Sequence, residues 1–118
     1  MKKQELDKRL FEYAKRVVCF TDVLAENESS RVIVKQVVRS GTSVAANVAE
    51  AKSASSKKDY VNFYNHALKS ANESLFWLKL IRETNKAPKQ TCDEIIDETE
   101  QIAKILAASI ITMRKNLK

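Results

Sequence analysis

A chain of 118 residues with one glycine and one proline has almost nothing to turn with. Tight turns need residues that take positive φ or fix it near −65°, and these two supply most of them. A many-stranded fold would need turn residues roughly every 8–12 positions. The scarcity therefore predicts a few long helices with short joints. The length suits one domain, residues 1–118, with a core large enough to need no staples. With 44% hydrophobic and 31% charged residues the chain is not of the disordered class. No apolar run reaches the ~18 residues of a membrane span. The opening "MKKQELDKRL" has no apolar segment behind its lysines, so a cytoplasmic protein with no membrane partner is expected. Cys19 and Cys92 are then expected as free thiols, and they lack the spacing of a zinc site.

Hydrophobic period places four helices. The first is expected over residues 3–26, with Leu6, Leu10, Tyr13, Val17, Phe20 and Leu24 as its seam, widened by Phe11, Ala14, Val18 and Ala25. Glu5 with Arg9 and Glu12 with Arg16 fit i,i+4 ion pairs. Ser30 is the expected cap of a second helix over 31–52. Ser56 with Asp59, and Thr91 with Glu94, fit capping boxes for the third and fourth. The third carries Val61, Tyr64, Leu68, Ala71, Leu75 and Leu78, with Phe63, Ala67, Trp77 and Ile81 beside them. The fourth carries Ile95, Thr99, Ile102, Leu106, Ser109 or Ile110, Met113 and Leu117. Short joints make neighbours antiparallel, so the fold class is all-α, an up-down-up-down four-helix bundle.

The single glycine, Gly41, falls inside the second helix, where it costs roughly 1 kcal/mol relative to alanine. Close approach of a neighbouring helix is the gain that could offset this. Gln36, Arg39, Ser43, Asn47 and Glu50 form one narrow stripe on the same helix. A solvated face is the plain reading of such a stripe, but solvated stripes are usually richer in Lys and Glu. A helix covered on more than one side, the second cover being another subunit, is the other reading. It makes Gln36, Arg39, Gly41, Ser43, Asn47 and Glu50 a subunit-interface or polar-network set.

The pattern R-S-x-x-S-x-x-x-N-x-x-E from Arg39 to Glu50, then S-K-K-D-Y from Ser56 to Tyr60, resembles a known family. Its members are four-helix bundle proteins first described as encoded in intervening sequences of bacterial 23S rRNA genes. Residues 36–81 carry the resemblance, with Gln36, Arg39, Ser43, Asn47, Glu50, Glu73 and Trp77 at matching positions. Ala51 stands where the family often has glycine. The resemblance implies an up-down bundle assembled as a homopentamer. A related branch includes accessory proteins of diversity-generating retroelements, which engage a reverse transcriptase and nucleic acid.

Nothing in the residues composes a catalytic site, and no enzyme is expected. His66 is a lone histidine on a helix, and no Ser, His and acid set can be assembled. Phosphate-cradling loops need several glycines. The acidic run "CDEIIDETE" (92–100) suits a helix N-terminus better than a metal. No cofactor and no metal is expected.

Charge is more informative. The net charge is +6, with a pI near 9.4. In an up-down-up-down bundle one end gathers Lys2, Lys3, Lys8, Arg9, Lys52, Lys57, Lys58, Arg114, Lys115 and Lys118 against Glu5, Asp7, Glu50 and Asp59. The other end, with Asp22, Glu26, Glu28, Glu83, Asp93, Glu94, Asp97 and Glu98, is acidic. A positive end attracts nucleic acid without reading sequence. The expected contact residues are Lys2, Lys3, Lys8, Arg9, Lys57, Lys58, Arg114 and Lys115. Few aromatics are expected there, so base stacking should be minor. The expected function is an oligomeric RNA- or DNA-binding or ribonucleoprotein adaptor. The alternative is a protein-interaction scaffold with no nucleic-acid role.

Overall fold

The computed structural model describes residues 1–24 and 26–116. Ala25, Leu117 and Lys118, placed above on the first seam, the fourth seam and the basic end, lie outside the described residues. The chain forms four helices: α1 Lys3–Phe20, α2 Glu28–Ala51, α3 Lys57–Glu83 and α4 Lys89–Lys115. Among the described residues there is no strand. Each helix packs on its sequence neighbours, and α4 returns to α1 along a thinner seam. The result is the expected antiparallel bundle, 49 Å long and about 20 Å across.

The joints show how the chain turns with so little glycine. Helix α3 ends on Asn85, which takes the left-handed conformation at φ 57°. Lys86 N–H then donates to Ile81 O and Asn85 N–H to Arg82 O, both at 3.2 Å. This is a Schellman closure, with asparagine in the place glycine usually holds. Helix α2 ends by tightening. Ser53 N–H and Ala54 N–H reach back three residues, to Glu50 O and Ala51 O.

Two helix starts depart from expectation. The cap of α2 is Asn27, not Ser30: its Oδ1 accepts from Ser30 N–H at 2.9 Å, so the helix begins three residues earlier. Asparagine is as good a cap as serine, and Ser30 is buried inside the first turn. Helix α4 starts behind Pro88, with no side-chain cap, so Thr91 is a helical residue and not a cap. Pro88 holds the cap position itself, with ψ at 136°, and keeps the residue before it out of the helical region. At α3 the capping box holds in modified form. Asp59 N–H donates to Ser56 Oγ at 3.0 Å, but the Asp59 carboxylate accepts from Ser55 N–H, not from Ser56.

Helix α1 is shorter than its period suggests. It ends at Phe20 and tightens through a 3₁₀ turn at Thr21–Val23. Leu6, Leu10, Tyr13, Val17, Phe20 and Leu24 are all buried as expected. Phe11 and Val18 are not part of the seam, being 64% and 49% exposed. The expected i,i+4 pairs are also replaced. Glu12 takes Lys15, and Arg9 leaves Glu5 for Glu98 of α4, with Nε to Oε2 at 3.0 Å and Nη2 to Oε1 at 2.6 Å. A bidentate, half-buried pair outweighs an exposed one on the same helix.

At mid-height all four helices contribute to one small-residue and hydroxyl layer. Tyr13 and Thr99 hydroxyls lie 2.7 Å apart, and Ser74 Oγ donates to Ser40 Oγ at 3.0 Å, all four buried. Burial pushes the Tyr13 phenol up, against hydrogen bonds from Thr99 and Ser74. Next to Ser40, Gly41 lets α1 lie directly on α2. A Cβ there would stand 2.6 Å from Val17 Cγ1 and 2.9 Å from Cγ2. The close approach that the glycine permits is thus made by α1 of the same chain.

Val17 is fully buried and stiff at χ1, so it cannot swing clear. Gly41→Ala should therefore destabilise the fold by about 1–3 kcal/mol, although helix propensity alone favours alanine by about 1 kcal/mol. Combined with Val17→Ala, it should cost less than the sum of the single changes by about 1 kcal/mol. Urea unfolding of the four proteins checks this. A Gly41→Ala midpoint above that of the parent would mean that Val17 does not fill the notch.

Candidate nucleic-acid interface

Three segments meet at one end of the bundle: the start of α1, the α2–α3 joint and the last turn of α4. Lys3, Lys52, Lys57, Met113 and Asn116 line one cleft of about 540 Å³ there, around Tyr60. Of the expected contact residues, the cleft brings together Lys3 and Lys57. Lys2, Lys3, Lys8, Lys57, Lys58, Arg114 and Lys115 all stand exposed. Arg114 reaches Asn65 of α3 at 3.4 Å. Lys52 is held by Asp7 at 2.6 Å. Arg9 is not open in the same way, because Glu98 and Gln101 of α4 take its guanidinium. The Glu98 pair raises its pKa, so it stays charged but occupied.

An aromatic residue does stand at this end, where few were expected. Tyr60 packs on Tyr64, ring centroids 5.2 Å apart, with the hydroxyls at 3.4 Å. Burial, then the Tyr60 hydroxyl, pushes the Tyr64 phenol up, so it stays protonated. Lys3 Nζ lies 4.9 Å from the Tyr60 ring centroid. Such a cation–π contact at an exposed site is worth about 0.5–1 kcal/mol. In the sequence Tyr60 stands out only as the last residue of the S-K-K-D-Y motif; its place in a cleft depends on segments distant in sequence.

The polar stripe of α2 divides. Arg39 donates to Gln36 Oε1 at 2.7 Å and to Glu73 Oε2 of α3. Trp77 Nε1–H donates to the same Glu73 oxygen at 2.9 Å. Gln36, Arg39, Glu73 and Trp77 therefore form one network, bridging two helices of a single chain. Ser43 and Asn47 instead donate to carbonyls of their own helix, Arg39 O and Ser43 O. Glu50 is exposed. Four acids of the α4 run have partners: Asp93 with Arg82 at 2.8 Å, Glu94 with Gln90 at 3.3 Å, Asp97 with Gln101 at 2.8 Å, and Glu98 with Arg9. Among the described residues, no three His, Cys, Asp or Glu side chains cluster as metal ligands would.

The family model of the 23S rRNA-intervening sequence protein matches residues 2–108. The chain belongs to this family. Outside the family model, a solved structure from Bacteroides thetaiotaomicron VPI-5482, a protein of unknown function from the S23 ribosomal protein family, is 35% identical to it. The two superpose with a TM-score of 0.83 over 89% of this chain and 97% of that one. No curated protein matches the chain. No helix among the described residues is long and apolar enough to cross a membrane. The residues that carry the resemblance to the family include all four members of the α2–α3 network.

That network has a pH signature. Arg39, and after it the Trp77 indole, hold the Glu73 carboxyl below the usual carboxylate range. A depressed folded-state pKa gives stability that is present above the unfolded value and lost as pH falls through the folded one. The Arg39 and Glu73 side chains are 55% and 36% exposed, so the contribution is small, under about 1 kcal/mol. Trp77 is the single tryptophan and reports the event. Its emission should change at a pH below the ordinary glutamate range, and the midpoint should rise in Arg39→Gln. An unmoved midpoint would show that Arg39 does not set it.

Proposed function

We propose that this member of the family is a non-enzymatic, oligomeric nucleic-acid-binding or ribonucleoprotein adaptor. The observation that carries the reading is a cleft that joins exposed lysines of α1 and of the α2–α3 joint to the last turn of α4 at one end of the bundle. Phosphate contact there needs no base readout and depends on salt through released counterions. In a homopentamer of like-oriented subunits, the basic ends would add into one positive surface. Such a surface could take RNA or DNA, alone or together with a protein partner such as a reverse transcriptase. The number five comes from the family resemblance.

The surface of α1 supports self-association. Phe11 and Val18 are exposed on one face about two turns apart, and Phe11 borders a groove with Ala45 and Ala49 of α2. Apolar surface of this kind, grouped along one side, marks contact faces. Phe11→Glu should leave the helical signal unchanged and reduce the solution mass toward that of one chain, read by light scattering. A parent protein already at the mass of one chain would remove the oligomer from this reading.

Replacing Lys57 and Lys58 by Gln should leave the fold intact and weaken binding about equally across sequences. Each lost phosphate contact should flatten the salt slope by roughly 0.7–0.9. Gel shifts of RNA and DNA at several salt concentrations check this. Absence of binding at low salt would leave the protein-interaction scaffold as the function.

A further inference from the structure

We propose that the cleft at the basic end holds one nucleotide of a single strand, its base on Tyr60 and its phosphate at Lys3 and Lys57. The proposal rests on the nucleic-acid reading above and deepens it. The cleft has a mixed character that free phosphate does not need. Its apolar lining is Ala51, Ala54, Val61 and Met113 with Tyr60 among them, and its polar lining is three lysines with Ser56 and Asn116. Its volume, about 540 Å³, lies in the range of small-ligand sites. A flat apolar body joined to a phosphate matches both parts. Duplex DNA offers the phosphate only, since its bases are stacked and paired. An unpaired nucleotide offers both.

The amines divide in a way that fits one phosphate. Lys52 is committed to Asp7. Asp59, the nearest acid on α3, accepts from Ser55 N–H and Oγ. Lys57 stands exposed at the first position of α3. Lys3 rests over the Tyr60 ring. A base arriving on that ring displaces the Lys3 ammonium, which is then released toward the phosphate. Stacking on every base in turn makes the site indifferent to sequence but selective for unpaired strands.

The test uses the full chain with fluorescein-labelled oligo(dT) and a duplex of equal length, titrated at several salt concentrations. Tyr60→Leu should weaken oligo(dT) binding roughly tenfold, the loss that one base–aromatic contact carries. It should leave duplex binding and the salt slope unchanged. Tyr60→Phe should bind oligo(dT) as the parent does, which separates loss of stacking from loss of fold. If Tyr60→Leu leaves oligo(dT) binding intact while Lys57→Gln weakens both probes, the cleft proposal fails and the phosphate reading stands. Equal weakening of both probes by Tyr60→Leu also overturns it. If neither probe binds the parent protein at low salt, the nucleic-acid reading falls and the cleft proposal with it.

Discussion

The bundle hangs on the place where Val17 lies against the bare Cα of Gly41. Seams of Leu, Ile and Val tolerate more than one register, since any of them fills space against any other. A notch with room for no methyl group accepts one partner at one height. The same level carries the Tyr13–Thr99 and Ser40–Ser74 hydroxyl pairs. A buried hydroxyl left without its partner costs about 1–3 kcal/mol. A slip of α1 or α4 would open the first pair, and a slip of α2 against α3 the second. Notch and hydroxyls thus fix the heights of all four helices together.

Register at mid-height decides what meets at the ends. From this layer to the cleft the chain runs 10 residues from Tyr13 to Lys3, 11 from Ser40 to Ala51, and 14 both from Ser74 to Tyr60 and from Thr99 to Met113. At 1.5 Å per residue these are rises of about 15–21 Å. Near-equal rises bring Lys3, Ala51, Tyr60 and Met113 to one level, where they line a common cleft. The basic end is therefore a geometrical consequence of a layer that carries no charge.

The sequence was most legible where one helix decides the outcome. The steps Leu6, Leu10, Tyr13, Val17 and Phe20 repeat the period of a buried stripe, and all five are buried. The Ser56 cap was readable because its partner is three residues away. Legibility failed where distant segments compete. Arg9 has an acid at i−4, but Glu98 of α4 offers a bidentate, half-buried partner. Gly41 announced a close approach without naming the neighbour, because period alone does not say which helix lies over a face. Phe11 fits the widened seam of α1, yet it stays exposed beyond the shoulder of α2. The network around Glu73 joins residues from two helices, and only the resemblance linked them beforehand.

The two ends of the bundle treat charge differently. At the acidic end Asp93 is held by Arg82, and nearer mid-height Glu98 is held by Arg9, so part of the acidic field is cancelled within the chain. At the basic end, Lys57 and Lys58 make no ion pair among the described residues. They also sit in the first turn of α3, where the helix dipole disfavours a cation by about 0.3–1 kcal/mol each. Ser56 offsets part of that by capping the same turn. Solubility gives no reason for the placement, since a lysine on any exposed face of the bundle would serve as well without opposing the dipole. A phosphate does give one: brought to this turn, it would meet the lysines and the helix N-terminus with the same sign of attraction.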